Sequence, residues 1–108
     1  VTNMRKINTN TGYSQEVARE YVNVSGEFQL ITLLEDKLKY DDESKKFTDE
    51  FSHQIGYFTQ KELYEPFKVK FETKQNLSQF DVVELIDLEA CIVNKNVYFR
   101  AKESKVLK

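Results

Sequence analysis

The chain has little of several things: one Cys, one Pro, three Gly and one His in 108 residues, and no Trp. A single cysteine, Cys91, excludes an intramolecular disulfide and any cysteine-cluster metal site. Within Ala90-Cys91-Ile92-Val93 it reads as a buried structural thiol. So few Gly and Pro exclude collagen-like, linker and low-complexity character. The lone His53 leaves acid–base chemistry without nominated partners, and there is no Gly-rich phosphate loop, paired-His metal motif or nucleophile elbow. The expectation is therefore a protein that is not an enzyme and uses no cofactor. The acidic runs Asp41-Asp42-Glu43 and Asp49-Glu50 lack the spacing and glycine of an EF-hand and read as solvated loops. No apolar run is long enough to cross a bilayer and no signal-peptide core opens the chain, so a cytoplasmic protein without a membrane partner is expected.

What is present is ordinary for a globular domain: 40% hydrophobic and 31% charged residues, enough chain for one core. Residues 1–12 are polar and Asn/Thr-rich and are expected to be flexible. Residues 13–108 are expected to form one domain. Aromatics reach 13%, six Tyr and eight Phe. The formal charge of −2 argues against a duplex-DNA binder, which would be basic, but leaves open single-strand binding, where rings supply much of the energy.

The hydrophobic patterning is mostly that of strands. Glu27–Tyr40 puts Phe28, Leu30, Thr32, Leu34, Leu38 and Tyr40 on one parity, with Ile31 and Leu33 on the other. A helix is the rival there, because Leu30, Leu33, Leu34 and Leu38 also follow helical spacing. Flanking turns at Ser25-Gly26 and Asp41–Ser44 favour the strand. Phe47–Gln60 alternates with Phe47, Phe51, His53, Ile55 and Tyr57 together, and Gly56 suggests a bulge or bend. Phe67–Lys74 alternates without a break: Phe67, Val69 and Phe71 inward, Lys68, Lys70 and Lys74 outward. Phe80–Val93 and Val97–Ala101 complete five strands, and Val106-Leu107 could pair briefly. Before them, Ser14 can cap a short helix carrying Val17, Ala18, Tyr21 and Val22 on one side, with a strand at Tyr21–Val24 as the alternative. The expected fold is mainly β, an OB-like small five-stranded antiparallel barrel with a short N-terminal helix. An open antiparallel sheet carrying the helix on one face is the alternative. The expected core is Phe28, Leu30, Leu34, Ile55, Val69, Phe71, Val83, Leu85, Leu88, Ile92 and Phe99.

The feature above background is cations interleaved with rings. Lys37, Lys39 and Tyr40 lead into the charged loop, Lys45, Lys46 and Phe47 leave it, Lys68 and Lys70 line one strand, and Arg100 shares a parity with Tyr98 on the last. Lysines there would neutralise phosphates and exposed rings would stack bases. Lys39, Tyr40, Lys45, Lys46, Phe47, Lys68, Lys70 and Arg100 are accordingly the candidate contacts to single-stranded DNA. The bland reading of each is a core ring or a solubilising surface charge.

Glu65-Pro-Phe-Lys-Val-Lys-Phe, the hairpin with Lys39-Tyr-Asp-Asp-Glu, and the closing Phe80–Val93 and Val97–Lys102 segments resemble small OB-like single-stranded-DNA-binding and helicase-processivity proteins of Gram-positive conjugative plasmids and elements. The resemblance covers roughly Glu27 to Lys105 and is one of strands and turns. It implies binding to single-stranded DNA during transfer or replication, beside a helicase or relaxase, and is compatible with a homo-oligomer. The chain departs from housekeeping relatives of that kind in ending Lys105-Val-Leu-Lys where they carry an acidic tail. A protein-interaction module or inhibitor from a mobile element, using its acidic loops, is the alternative.

Overall fold

In the computed structural model, which describes residues 12–108, Ser14 caps a seven-residue helix, α1 (Gln15–Tyr21). Its Oγ accepts the Glu16 N–H at 3.1 Å, satisfying one of the donors that a helix start leaves free. The expected flexible stretch, Gly12 apart, lies outside the described residues. Ala18 and Val22 are buried in the core and Val17 packs against it, whereas Tyr21 is exposed. The Ser14 backbone also exchanges two hydrogen bonds with Ala90, so the chain enters the fold pinned to a sheet edge. Beyond the helix, Asn23 and Gln60 bond reciprocally: the Asn23 N–H donates to Gln60 Oε1 at 2.9 Å, and Gln60 Nε2 donates to the Asn23 carbonyl at 2.8 Å.

The rest is one mixed sheet: β1 (Phe28–Leu30), β2 (Glu35–Asp41), β3 (Lys46–Thr59), β4 (Phe67–Phe71), β5 (Val82–Ile86), β6 (Glu89–Val93), β7 (Asn96–Ala101) and β8 (Glu103–Val106). The order across it is β6-β7-β4-β3-β1-β5-β8, with β2 also on β3. Every pairing is antiparallel except β4 with β7. The mainly β expectation stands, and β1 pairs with both β3 and β5.

The five-stranded antiparallel barrel is corrected in three ways: the sheet has eight strands, one pairing is parallel, and it is not closed. The expected first strand breaks over Ile31–Leu34, and its two pieces lie in succession along the same side of β3. The expected fourth breaks at Asp87, whose φ of 52° turns the chain, and its pieces join opposite ends of the sheet. The tail pairs over four residues as β8. Because the chain crosses from β4 to β5 on the far side of β1 before returning through β6, β7 meets β4 in parallel.

One face of the curled sheet holds the core. Phe28, Leu30, Phe58, Val69, Phe71 and Val83 are essentially inaccessible. The rings interlock edge to face: Phe58 with Phe71 at 6.0 Å, Phe28 with Phe67 at 5.8 Å, and Phe67 with Phe99 at 4.8 Å in a tilted pair. Of the expected core, Leu34 is only partly buried, Ile55 lies on the other face and Ile92 is 39% exposed. The parity of β3 is the reverse of the sequence reading. Gln54, Gly56 and Phe58 point inward, and His53, Ile55 and Tyr57 outward. Gly56 explains the reversal: a Cβ there would lie 2.8 Å from Leu34 Cδ2 and 3.0 Å from Leu30 Cδ1. The two leucines beside the break fill the space over a missing side chain. The bulges of β3 lie further along, opposite Lys37–Leu38 and Leu38–Tyr40.

A polar chain ties the curl together. Buried Gln54 donates to Asp36 Oδ1 at 2.7 Å and accepts the Gln75 N–H at 2.8 Å. Gln75 Oε1 in turn accepts from both the N–H and the hydroxyl of Ser104 on β8, at 3.0 and 2.8 Å.

Candidate nucleic-acid interface

Alternation in Phe67–Phe71 puts Lys68 and Lys70 on the face opposite the core, as the sequence reading has it. The ladders then fix their neighbours. On β3, Lys68 faces Tyr57 and Lys70 faces Ile55. On β7, Lys70 stands beside Arg100 and, one step earlier in the same register, Lys68 beside Tyr98. On β2, Lys37 pairs with His53. Lys37, Lys68 and Lys70 thus surround one imidazole. The His53 ring is held below its ordinary pKa, first by desolvation and then by the charges of Lys70, Lys37 and Lys68. Ser52 Oγ lies 2.9 Å from its Nδ1.

A groove of about 750 Å³ opens over this face, with His53, Ile55, Lys68, Lys70 and Tyr98 among its walls. Tyr57 and Tyr98 are each 41% exposed, so both rings present area to a ligand. No carboxylate lies within salt-bridge distance of Lys68 or Lys70 among the described residues.

Arg100 sits on the same face but is engaged. Its Nε donates to Glu89 at 2.9 Å, Glu72 lies 3.9 Å from its Nη1, and its guanidinium stacks 4.3 Å from the centroid of Tyr13. Tyr13 covers the edge of the sheet there. Its hydroxyl is held above the ordinary phenol value by burial and by the neighbouring Cys91, which is itself buried.

Lys39, Tyr40, Lys45, Lys46 and Phe47 lie elsewhere, at the far end of the ribbon formed by β2 and the first half of β3. Tyr40 and Phe47 are cross-strand partners whose rings meet edge to face at 5.1 Å while remaining 52% and 69% exposed. The turn between them is built by Asp41, whose two oxygens accept the Glu43 N–H and the Ser44 hydroxyl at 3.1 and 2.9 Å. Lys39 is ion-paired with Glu50 at 3.6 Å. The eight candidate contacts therefore divide into Lys68 and Lys70 on the groove, Arg100 beside it in a carboxylate clasp, and five at the ribbon tip.

The sequence reading noted Lys37 among the cations beside rings but left it out of the candidate contacts, and it passed over His53 and Tyr57 as binding groups. The parity of His53 and Tyr57 was visible, but it was read as the inner face. Among the described residues, no group of three His, Cys, Asp or Glu is placed to hold a metal ion, and no helix is long and apolar enough to cross a membrane. No protein-family model, curated protein or solved structure matches this chain.

Proposed function

We propose that the chain binds single-stranded DNA, without strong sequence preference, on the outer face of β3, β4 and β7. The observation that carries this reading is the gathering of Lys37, Lys68 and Lys70 around His53 beside the exposed rings of Tyr57 and Tyr98. Cations that release counterions from phosphates, next to rings that stack any base, are the two ingredients of sequence-tolerant single-strand binding. An open sheet face carrying exposed aromatics is a sufficient platform, so the reading does not need a closed barrel. The resemblance to proteins of conjugative elements extends the proposal to the strand exposed during transfer or replication, handled beside a helicase or relaxase.

The test is fluorescence anisotropy of a labelled thymidine oligonucleotide at two salt concentrations. Wild type should bind with a negative salt slope of roughly 0.7 per phosphate neutralised. A Lys68→Glu, Lys70→Glu double variant should keep its fold, bind weakly and lose about 1.4 from that slope, two phosphates' worth. Equal binding by wild type and variant would place the site elsewhere, and no wild-type binding at low salt would remove the reading.

A second reading is favoured by the ribbon tip. The exposed Tyr40–Phe47 pair beside Asp41, Asp42 and Glu43 suits a protein partner better than a polyanion. It would make the ribbon an interaction arm.

A further inference from the structure

Six non-glycine residues among those described have positive φ, and five of them are Lys, Glu, Asp or Asn. The sixth is Phe80, at φ 74°. An aromatic side chain in the left-handed region is strained, and such strain persists only where surrounding contacts impose it. Here they do. The Phe80 N–H donates to the Leu30 carbonyl at 2.6 Å, and its own carbonyl accepts from Gln29 Nε2 at 3.2 Å. Asp81 closes the turn from the other side, its N–H donating to the Ser78 carbonyl at 3.1 Å and its Oδ2 accepting the Ser78 N–H at 2.8 Å. Gln79 Nε2 donates to the Ile31 carbonyl at 3.0 Å. For all this clamping the Phe80 ring is not buried: it is 59% exposed. Core packing does not account for the residue.

The ladders say where the ring stands. The β1–β5 register, with Phe28 opposite Val83 and Gln29 opposite Val82, ends in a bulge at Leu30, whose N–H donates to the Asp81 carbonyl while its carbonyl accepts the Phe80 N–H, so Phe80 is the extra residue opposite Leu30. Ile31 donates its N–H to the Tyr57 carbonyl at 2.9 Å. The row Tyr98, Lys68, Tyr57, Ile31 therefore crosses the sheet from β7 to the end of β1, and the bulge sets Phe80 next to the end of that row, at the entry of β5. Gln29, whose amide holds the Phe80 carbonyl, alternates outward between the buried Phe28 and Leu30. With strands about 4.8 Å apart, a ring recurs every second strand, roughly every 10 Å.

We infer that Phe80 is a third base-stacking platform, and that the single strand runs across the strands over Tyr98, Tyr57 and Phe80 in turn. This rests on the binding face proposed above and adds the path and the minimum ligand, a single strand several nucleotides long. The backbone strain is then the device that holds an apolar ring out toward the ligand.

The chain has no Trp, so Phe80→Trp creates a single fluorescent reporter on the proposed path. Its emission should be quenched when an oligothymidylate binds. Phe80→Gly removes the ring and also the strain, since glycine adopts this φ freely. Its thermal midpoint should equal or exceed that of wild type, while affinity falls about 5- to 150-fold, the range for one stacked base. An unquenched Trp in a protein that still binds overturns the inference. So does a Phe80→Gly variant with wild-type affinity, or one whose midpoint drops by several degrees. In each case, if the Lys68→Glu, Lys70→Glu variant has lost binding, the binding face itself stands and only the path is wrong. Wild type that binds no oligothymidylate at low salt removes both.

Discussion

The two halves of β3 make one strand with two fates. Gln54–Thr59 runs between β4 on one side and, on the other, the start of β2 at Gln54 and Ile55 and then β1 at Phe58 and Thr59, with Gln54, Gly56 and Phe58 buried. Lys46–His53 pairs with β2 alone, and nothing on it is fully buried. Propensity does not separate them, since both halves mix aromatics with polar residues. What separates them is whether a third strand and a leucine pair arrive to cover one face. The comparison teaches where stability and recognition are divided: the covered half holds the sheet together, and the uncovered half, with the outer face beside it, is free to meet other molecules.

The comparison can be broken first at its strong end. Phe71, fully buried and paired across the ladder with Gln54, should cost about 3–5 kcal/mol when replaced by Ala, read as a shift in the denaturation midpoint at unchanged m-value. A loss below about 1 kcal/mol would show that the covered half is not the structural one. Gly56→Ala comes next. Its new methyl would press on Leu34 and Leu30 at 2.8 and 3.0 Å. Both neighbours are side-chain ends that can move, so the expected cost is about 1–3 kcal/mol. A stabilised variant would mean that the leucines leave real room there.

At the uncovered end, Phe47→Ala removes one exposed member of a cross-strand pair, worth about 0.2–1 kcal/mol. A urea titration that finds a loss above about 2 kcal/mol would mean that the ribbon is braced against the body after all. The smallest effect belongs to His53, at the junction of the two halves. Its folded pKa lies below the ordinary value of about 6.5, so the unfolded chain takes up a proton first as pH falls. The His53 contribution is intact above pH of about 6.5 and is lost as pH drops through the folded value. Between pH 7.5 and 5, the thermal midpoint of wild type should therefore fall slightly more than that of His53→Gln. Equal slopes would mean that neither burial nor the lysines hold the ring's pKa down.

Several of these features were legible in the residues. Ser14 announces a cap, and the helix follows it. Phe67–Phe71 alternates cleanly, and the structure keeps that parity, which is why Lys68 and Lys70 were found as outward cations. Phe28, Leu30, Val69, Phe71, Val83, Leu85, Leu88 and Phe99 were read as core and are buried. The site was less legible. Lys37 and His53 lie in different strands and meet only through the β2–β3 ladder. Arg100 looked free but is taken by Glu89, eleven residues earlier in the chain.

The chain by itself determined the strand-forming segments and the alternation within most of them, because side-chain period is a local property of backbone and sequence. It also determined the absence of disulfide staples, through a single cysteine. Only the tertiary structure decided which parity of β3 faces inward, where two long segments break, and that β4 and β7 run parallel. Those choices depend on groups distant in sequence: Leu30 and Leu34 closing over Gly56, Gln75 bridging Gln54 to Ser104, and the clasp of Gln29 and Leu30 that holds Phe80 at positive φ. A local pattern can show that a residue alternates, but the side it alternates toward is set by what packs there.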